Sequence, residues 1–205
     1  MISSLVPRSD YPTLEESTYL NQASLGLIGR PAVEAMHGFL DDIAQHGNRF
    51  MSDQDEVAYF ESLRTHAAQF LSSDVGWIAI VAGASELLGQ LPYLLEPESG
   101  SRVLAVSTDF PAVTRPWLRS AERGGCELCF VDDVSTDDLT DTLIGALDER
   151  TSVLAVSQVQ YATGSRLDIP RLREATRRVG ANLIVDATQA AGAAPVDVSA
   201  WGAEV

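Results

Sequence analysis

The sequence predicts an α/β protein of three layers, with a mostly parallel sheet covered by helices on both faces. Two observations carry this expectation. From Trp77 onward, short continuous runs of Val, Ile, Leu and Ala alternate with amphipathic stretches, and continuous rather than alternating runs mark strands buried on both sides. Each run is followed by a segment of helical periodicity, the order that builds βαβ units. A length of 205 residues, with 45% apolar and 21% charged residues, gives room for a sizeable core.

The elements follow in order. Residues 1–50 read as an N-terminal lead-in and a helix over 31–46, with Pro31 suited to a first turn and Gly47 placed to stop it. Met36, Phe39, Leu40 and Ile43 recur at helical spacing and give this helix one apolar face. A second helix over 55–71 is expected to bury Val57, Phe60, Leu63, Ala67 and Phe70. Residues 51–205 form the main α/β domain in this reading. Its strands are expected at 77–82, 102–106, 127–131, 153–157 and 183–186. Helices are expected at 85–95, 112–123, 136–147 and 170–179. No internal repeat, low-complexity tract or linker interrupts this pattern.

Composition removes several function classes. The net charge is −15, from 29 acidic and 14 basic residues, so the average surface repels nucleic acid and anionic lipid. The start, Met1-Ile-Ser-Ser-Leu-Val-Pro-Arg8, has no basic stretch leading into a long apolar core, and no apolar run reaches membrane-spanning length. A cytoplasmic protein is expected. All basic residues are Arg and none is Lys, which coding bias explains at surface positions, where either cation serves. Cys126 and Cys129 form a Cys-x-x-Cys, but in a strand residues three apart point to opposite faces. No second Cys/His pair has metal-ligand spacing, so both are expected to be ordinary reduced cysteines. His37, His46 and His66 fall on helices as surface or partly buried residues.

In open parallel sheets, ligands bind beyond the carboxyl ends of the strands. That rule nominates residues 83–86, 107–110, 157–164 and 186–189. In Gly83-Ala-Ser-Glu86 the Ala84 and Ser85 amides, with the Ser85 hydroxyl, would open a helix and suit a phosphate; a plain serine cap would read the same way. Neither a Gly-x-Gly-x-x-Gly nor a Gly-Lys-Ser/Thr loop is present. Asp186 ends an apolar run and Gln189 follows three residues later. A carboxylate and an amide in that order suit a nitrogen heterocycle that also carries a phenolate-like oxygen, although a helix cap would also explain Asp186.

Four segments together resemble the class V aminotransferase-fold enzymes that use pyridoxal 5'-phosphate. Asp109-Phe-Pro-Ala-Val-Thr-Arg-Pro-Trp117 resembles the family segment whose aromatic ring lies on the cofactor's pyridine, and Phe110 falls on that position. Cysteine desulfurases place a histidine there, so Phe points to kynureninase-like or isopenicillin N epimerase-like relatives. Val159-Gln-Tyr-Ala-Thr-Gly164 resembles the family segment after the next strand, which puts Tyr161 toward the phenolic oxygen. Gln158 departs from the histidine common in desulfurases. Ile184-Val-Asp-Ala-Thr-Gln-Ala-Ala-Gly192 resembles the family's Val-Asp-x-x-Gln-x-x-Gly motif, in which Asp186 pairs with the ring nitrogen and Gln189 donates to the phenolate. Tyr19-Leu-Asn-Gln-Ala-Ser-Leu-Gly26 resembles a segment bordering the substrate carboxylate, making Ser24 a contact.

The resemblance implies the large domain of fold type I pyridoxal phosphate-dependent transferases, incomplete at its C-terminus, from a homodimer acting on a small amino acid. Lyase, epimerase and transaminase chemistry all remain open. The family's cofactor-bearing lysine follows in the next strand, and this chain has none; Arg cannot replace it, because guanidinium stays protonated. The expectation is therefore an N-terminal fragment, inactive alone and poorly soluble. A degenerate homologue serving as a binding or dimerisation module is the rival reading, with a nucleotide-dependent oxidoreductase behind it.

Overall fold

The computed structural model describes residues 6–22, 24–49, 51–133 and 138–203. It divides into two compact units, Met1–Ser62 and Leu63–Val205. The first carries a short helix, α1 (Thr13–Glu16), and a long one, α2 (Arg30–His46), which has proline in its first turn and ends at Gly47 with φ 56°. The division falls within α3 (Asp53–Leu71).

The second unit has the predicted three-layer α/β architecture. Helices α4 (Ala84–Leu95), α5 (Pro111–Glu122), α6 (Leu139–Ala146), α7 (Ile169–Val179) and the short α8 (Val198–Trp201) surround strands β1 (Arg102–Val106), β2 (Glu127–Val131), β3 (Thr151–Ser157) and β4 (Asn182–Asp186). The strands are all parallel, in the order β2-β1-β3-β4. Alternate residues of each strand point to opposite faces, which sorts the core into two layers. Leu104, Val106, Leu154, Val156 and Leu183 pack with Leu143 of α6 and Leu172 of α7. Val103, Val153, Ala155 and Ile184 pack with Leu88 and Leu91 of α4 and Trp117 of α5. Each large side chain so buried contributes about 1.5–3 kcal/mol.

Local chemistry fixes the helix starts. Asp168 accepts from the Arg171 amide at 3.1 Å ahead of Pro170, and Asp138 accepts from Thr140 at 2.8 Å. The predicted 136–147 helix begins later, at Leu139; residues 136 and 137 lie outside the described ones.

Two expectations need correction. Residues 77–82 are not a strand. Val75–Trp77 forms a 3-10 turn, and Trp77 is 84% exposed. The backbone there is held by side chains instead of a ladder: Arg64 donates to the carbonyls of Val75 and Ile78, and Glu86 accepts from the Ala82 amide. The apolar run resembles a strand in composition, but pairing needs a neighbour. The second correction is α3, where Val57, Phe60, Leu63 and Phe70 are exposed and Ala67 is half-buried, while Ala68 alone is buried. Its apolar residues lie under no layer formed by the described residues.

Candidate functional site

The strand order creates the site. β1 leads through α5 to β2 on one side, whereas β3 leads through α7 to β4 on the other. The connections therefore diverge between the carboxyl ends of β1 and β3, the point at which open α/β sheets form a binding crevice. Residues 107–110 and 157–164 leave the sheet at this point.

Asp109, the residue before Phe110, is 5% exposed and spans the two loops. Its Oδ1 accepts from the Phe110 amide at 2.7 Å and the Ser157 hydroxyl at 2.6 Å. Its Oδ2 accepts from the Ser157 amide at 2.8 Å and from Gln160 Nε2 at 3.1 Å. A buried carboxylate is tolerated only with such compensation. Phe110 and Tyr161, each beside a residue of this network, meet edge to face with centroids 5.3 Å apart and planes at 85°, a favourable aromatic geometry. Both rings are 46% exposed.

Asp186 ends β4 in register with Ser157. Strand alternation directs it to the sheet face that Ile184 shares with α4 and α5. No helix follows it directly; the next, α8, starts at Val198. Its Oδ1 accepts from the Thr188 amide at 2.8 Å, an Asx turn rather than a helix cap, and its main-chain carbonyl accepts from the Gln158 amide at 2.9 Å. No hydrogen bond reaches Oδ2 among the described residues. Gln189 is half-buried in the turn that continues through Ala190 and Ala191, whose amides donate to Ala187.

Ala84 and Ser85 open α4, with Gly83 in the cap position and no side-chain cap. Ser85 is thus in the first turn, and the serine-cap alternative does not hold. The Ala84 and Ser85 amides precede any helical acceptor, and Glu86 turns back to the Ala82 amide. Ser24, in the first unit, is exposed and donates its amide to Asn21.

The structure thus brings Phe110 and Tyr161 together and sets Asp186 beside Ser157; no hydrogen bond among the described residues joins Ala84 or Ser85 to them. Asp109, Ser157 and Gln160 fall inside the nominated segments 107–110 and 157–164, but sequence reasoning assigned none of them a role. The available signal was a carboxylate at a strand's carboxyl end, directly before an aromatic nominated for the site.

The donor set fits pyridoxal phosphate: a carboxylate oxygen with no hydrogen bond among the described residues, first-turn amides, two half-exposed rings and a nearby amide. Among the described residues, no group of three His, Cys, Asp or Glu is placed to hold a metal ion. Cys126 and Cys129 are free and pack on opposite sheet faces. Burial pushes the Cys129 thiol up despite Arg102 nearby, which keeps it protonated. An apolar groove of about 460 Å³ lined by Met36, Phe39, Leu40 and Phe60 lies within the first unit and holds none of the candidate residues. No helix among the described residues is long and apolar enough to cross a membrane.

Comparison with known proteins agrees with this architecture. The family described as Aminotransferase class-V matches residues 18–205. The uncharacterized aminotransferase YcbU of Bacillus subtilis is 27% identical over 198 residues, covering 97% of this chain and 52% of that protein. A probable cysteine desulfurase of Pyrococcus abyssi is 27% identical over 200 residues, covering 93% and 49%. The chain spans about half the length of these curated relatives. Among solved structures, a C-DES mutant with glycine covalently linked to the PLP cofactor superposes with a TM-score of 0.86 at 22% identity, over 98% of this chain and 54% of that one. The apo cysteine desulfurase of Thermococcus onnurineus NA1 gives 0.80 at 24% identity, over 99% and 52%.

Proposed function

The chain belongs to the aminotransferase class-V family, and on that premise we propose that it holds pyridoxal 5'-phosphate in an enzyme acting on a small amino acid. The observation that carries the proposal is Asp186, half-buried at the end of β4, with one oxygen fixed by Thr188 and no hydrogen bond to the other among the described residues. An ionised carboxylate there accepts from a protonated pyridine nitrogen and stabilises that form. When bound, the cofactor supplies an electron sink for chemistry at the amino acid's α-carbon.

The remaining residues orient it. Ala84 and Ser85 offer first-turn amides and a hydroxyl to the phosphate, at a helix end that favours anions. Phe110 would cover the ring, and Tyr161 and Gln189 would approach the phenolic oxygen. Cysteine desulfurases and a cystine C-S lyase among similar proteins support sulfur-containing amino acids as one substrate class, within lyase, epimerase or transaminase chemistry. The proposal places the protein in the cytoplasm as a homodimer.

A second reading rests on one observation. None of the 205 residues is Lys, so these residues offer no side-chain amine to the cofactor: under the first reading they are inactive alone, and under the second the protein is a degenerate homologue serving as a binding or dimerisation module. Titration with pyridoxal phosphate, read by induced circular dichroism in the cofactor band, tests both readings. Saturable binding that gel filtration reverses is expected, and Asp186→Ala should weaken it about tenfold or more, the loss of one charge-assisted hydrogen bond. Equal binding by Asp186→Ala would remove Asp186 from its role, and no binding by the unaltered chain would leave only the module.

A further inference from the structure

Phe110 and Tyr161 lie on different loops, one after β1 and the other after β3, yet their rings meet at 5.3 Å. Main-chain pairing does not reach either residue: the β1–β3 register ends at Ala105 with Ala155. Another element must fix the spacing of the two loops. The candidate is the buried carboxylate between them.

Asp109 is itself anchored, since its amide donates to the Val106 carbonyl at 3.1 Å. Its four donors divide by loop: Phe110 from its own, and Ser157 twice and Gln160 once from the other. Gln160 carries the constraint onward. Its Nε2 donates also to the Ser157 carbonyl at 3.2 Å, its amide donates to Ser165, and its carbonyl accepts from Gly164. Tyr161 thus follows a residue held at both its side chain and its backbone. Gln160 is 1% exposed and its Oε1 has no hydrogen-bond partner, so Nε2 alone holds the side chain.

We propose that Asp109 is a positioning residue, a carboxylate clasp that sets the width of the crevice between β1 and β3 and holds the Phe110–Tyr161 ring pair in place. The cofactor part of this inference rests on the reading under Proposed function. The clasp requires a carboxylate in particular. In Asp109→Asn one oxygen becomes a donor. Turned toward Ser157 N and Gln160, it faces two donors, of which Gln160 can rotate its amide but the Ser157 backbone cannot. Turned toward Phe110 N and the Ser157 hydroxyl, it lets the hydroxyl reverse, but the Phe110 backbone cannot. In either case a main-chain donor loses its acceptor, the buried Ser157 amide or the part-buried Phe110 amide.

The test compares the unaltered chain with Asp109→Asn by amide hydrogen exchange and by the NMR shifts of the Tyr161 ring, then by pyridoxal phosphate affinity. Exchange at Phe110 or Ser157 should rise about tenfold or more, while Leu104 and Leu154 in the strand interiors change little, as local opening requires. The Tyr161 ring signals should lose the shift imposed by Phe110, and cofactor affinity should fall about tenfold. Unchanged exchange and ring shifts would overturn the proposal. So would a uniform rise across β1 and β3, which marks general destabilisation. Should Asp109→Asn fail to fold, Ser157→Ala removes one donor and keeps the carboxylate; its Tyr161 signals should move while Leu104 exchange holds, and unmoved signals would overturn the clasp. If the unaltered chain does not bind pyridoxal phosphate, the proposed function fails, and exchange and ring shifts still decide the role of Asp109.

Discussion

The two units use similar apolar content to different ends. In Leu63–Val205, apolar residues at strand and helix spacing are buried in two layers against the sheet. In Met1–Ser62, α2 has a regular apolar face, yet no described residue of that unit is buried. Periodicity makes a helix amphipathic in both cases. Burial additionally requires a facing layer, and a sheet supplies one along its whole length.

This contrast can be broken or sharpened by substitution. Trp117→Ala, beneath α5, should lower unfolding free energy by about 3–5 kcal/mol, measured by urea denaturation. Leu40→Ala, on the exposed face of α2, should change it by about 0.5 kcal/mol or less. Equal effects would break the distinction between the units. Asp168→Ala removes the α7 cap and should reduce stability by about 1 kcal/mol; an unchanged transition would show that Pro170 and packing suffice.

Acid should act through the second unit as well. The Thr140 amide, bonded to Asp138, holds that carboxyl below its ordinary 3.8. Burial opposes the charge on Asp148, but Thr151, the Arg150 amide and the Arg102 and Arg150 guanidiniums outweigh it and lower that carboxyl too. A lowered folded value means that the unfolded chain binds more protons in this window. The resulting stability is complete above about pH 4 and is lost as pH falls through the lowered folded values. Thermal midpoints at pH 3 and pH 5 should therefore differ, and Asp138→Asn should narrow the difference. A comparably small effect is expected for Arg178→Ala, which opens the exposed pair with Glu174 at 3.1 Å and should change stability by about 0.3–0.5 kcal/mol.

Four strands were legible because continuous apolar runs have few other uses in a chain of this charge. Residues 77–82 have the same composition, but no pairing partner is encoded within the run, and Arg64 and Glu86 take its backbone groups instead. The positions of Asp186 at the end of β4 and of Phe110 in the loop after β1 were legible from the apolar runs that precede them. The role of Asp109 was not, because it depends on Ser157 and Gln160, about fifty residues away, and on β3 lying beside β1 instead of beside β2. Strand order is what converts an ordinary strand-end carboxylate into a bridge.

The central claim is that the crevice between β1 and β3, with Asp186 beside it, holds pyridoxal phosphate. NMR shift mapping during titration with that compound tests it most directly. The account predicts saturable changes at Ala84, Ser85, Phe110, Tyr161 and residues 186–189, with Met36 and Leu40 in the first-unit groove unmoved. Changes confined to that groove, or none at Asp186 and its neighbours at saturation, would contradict it.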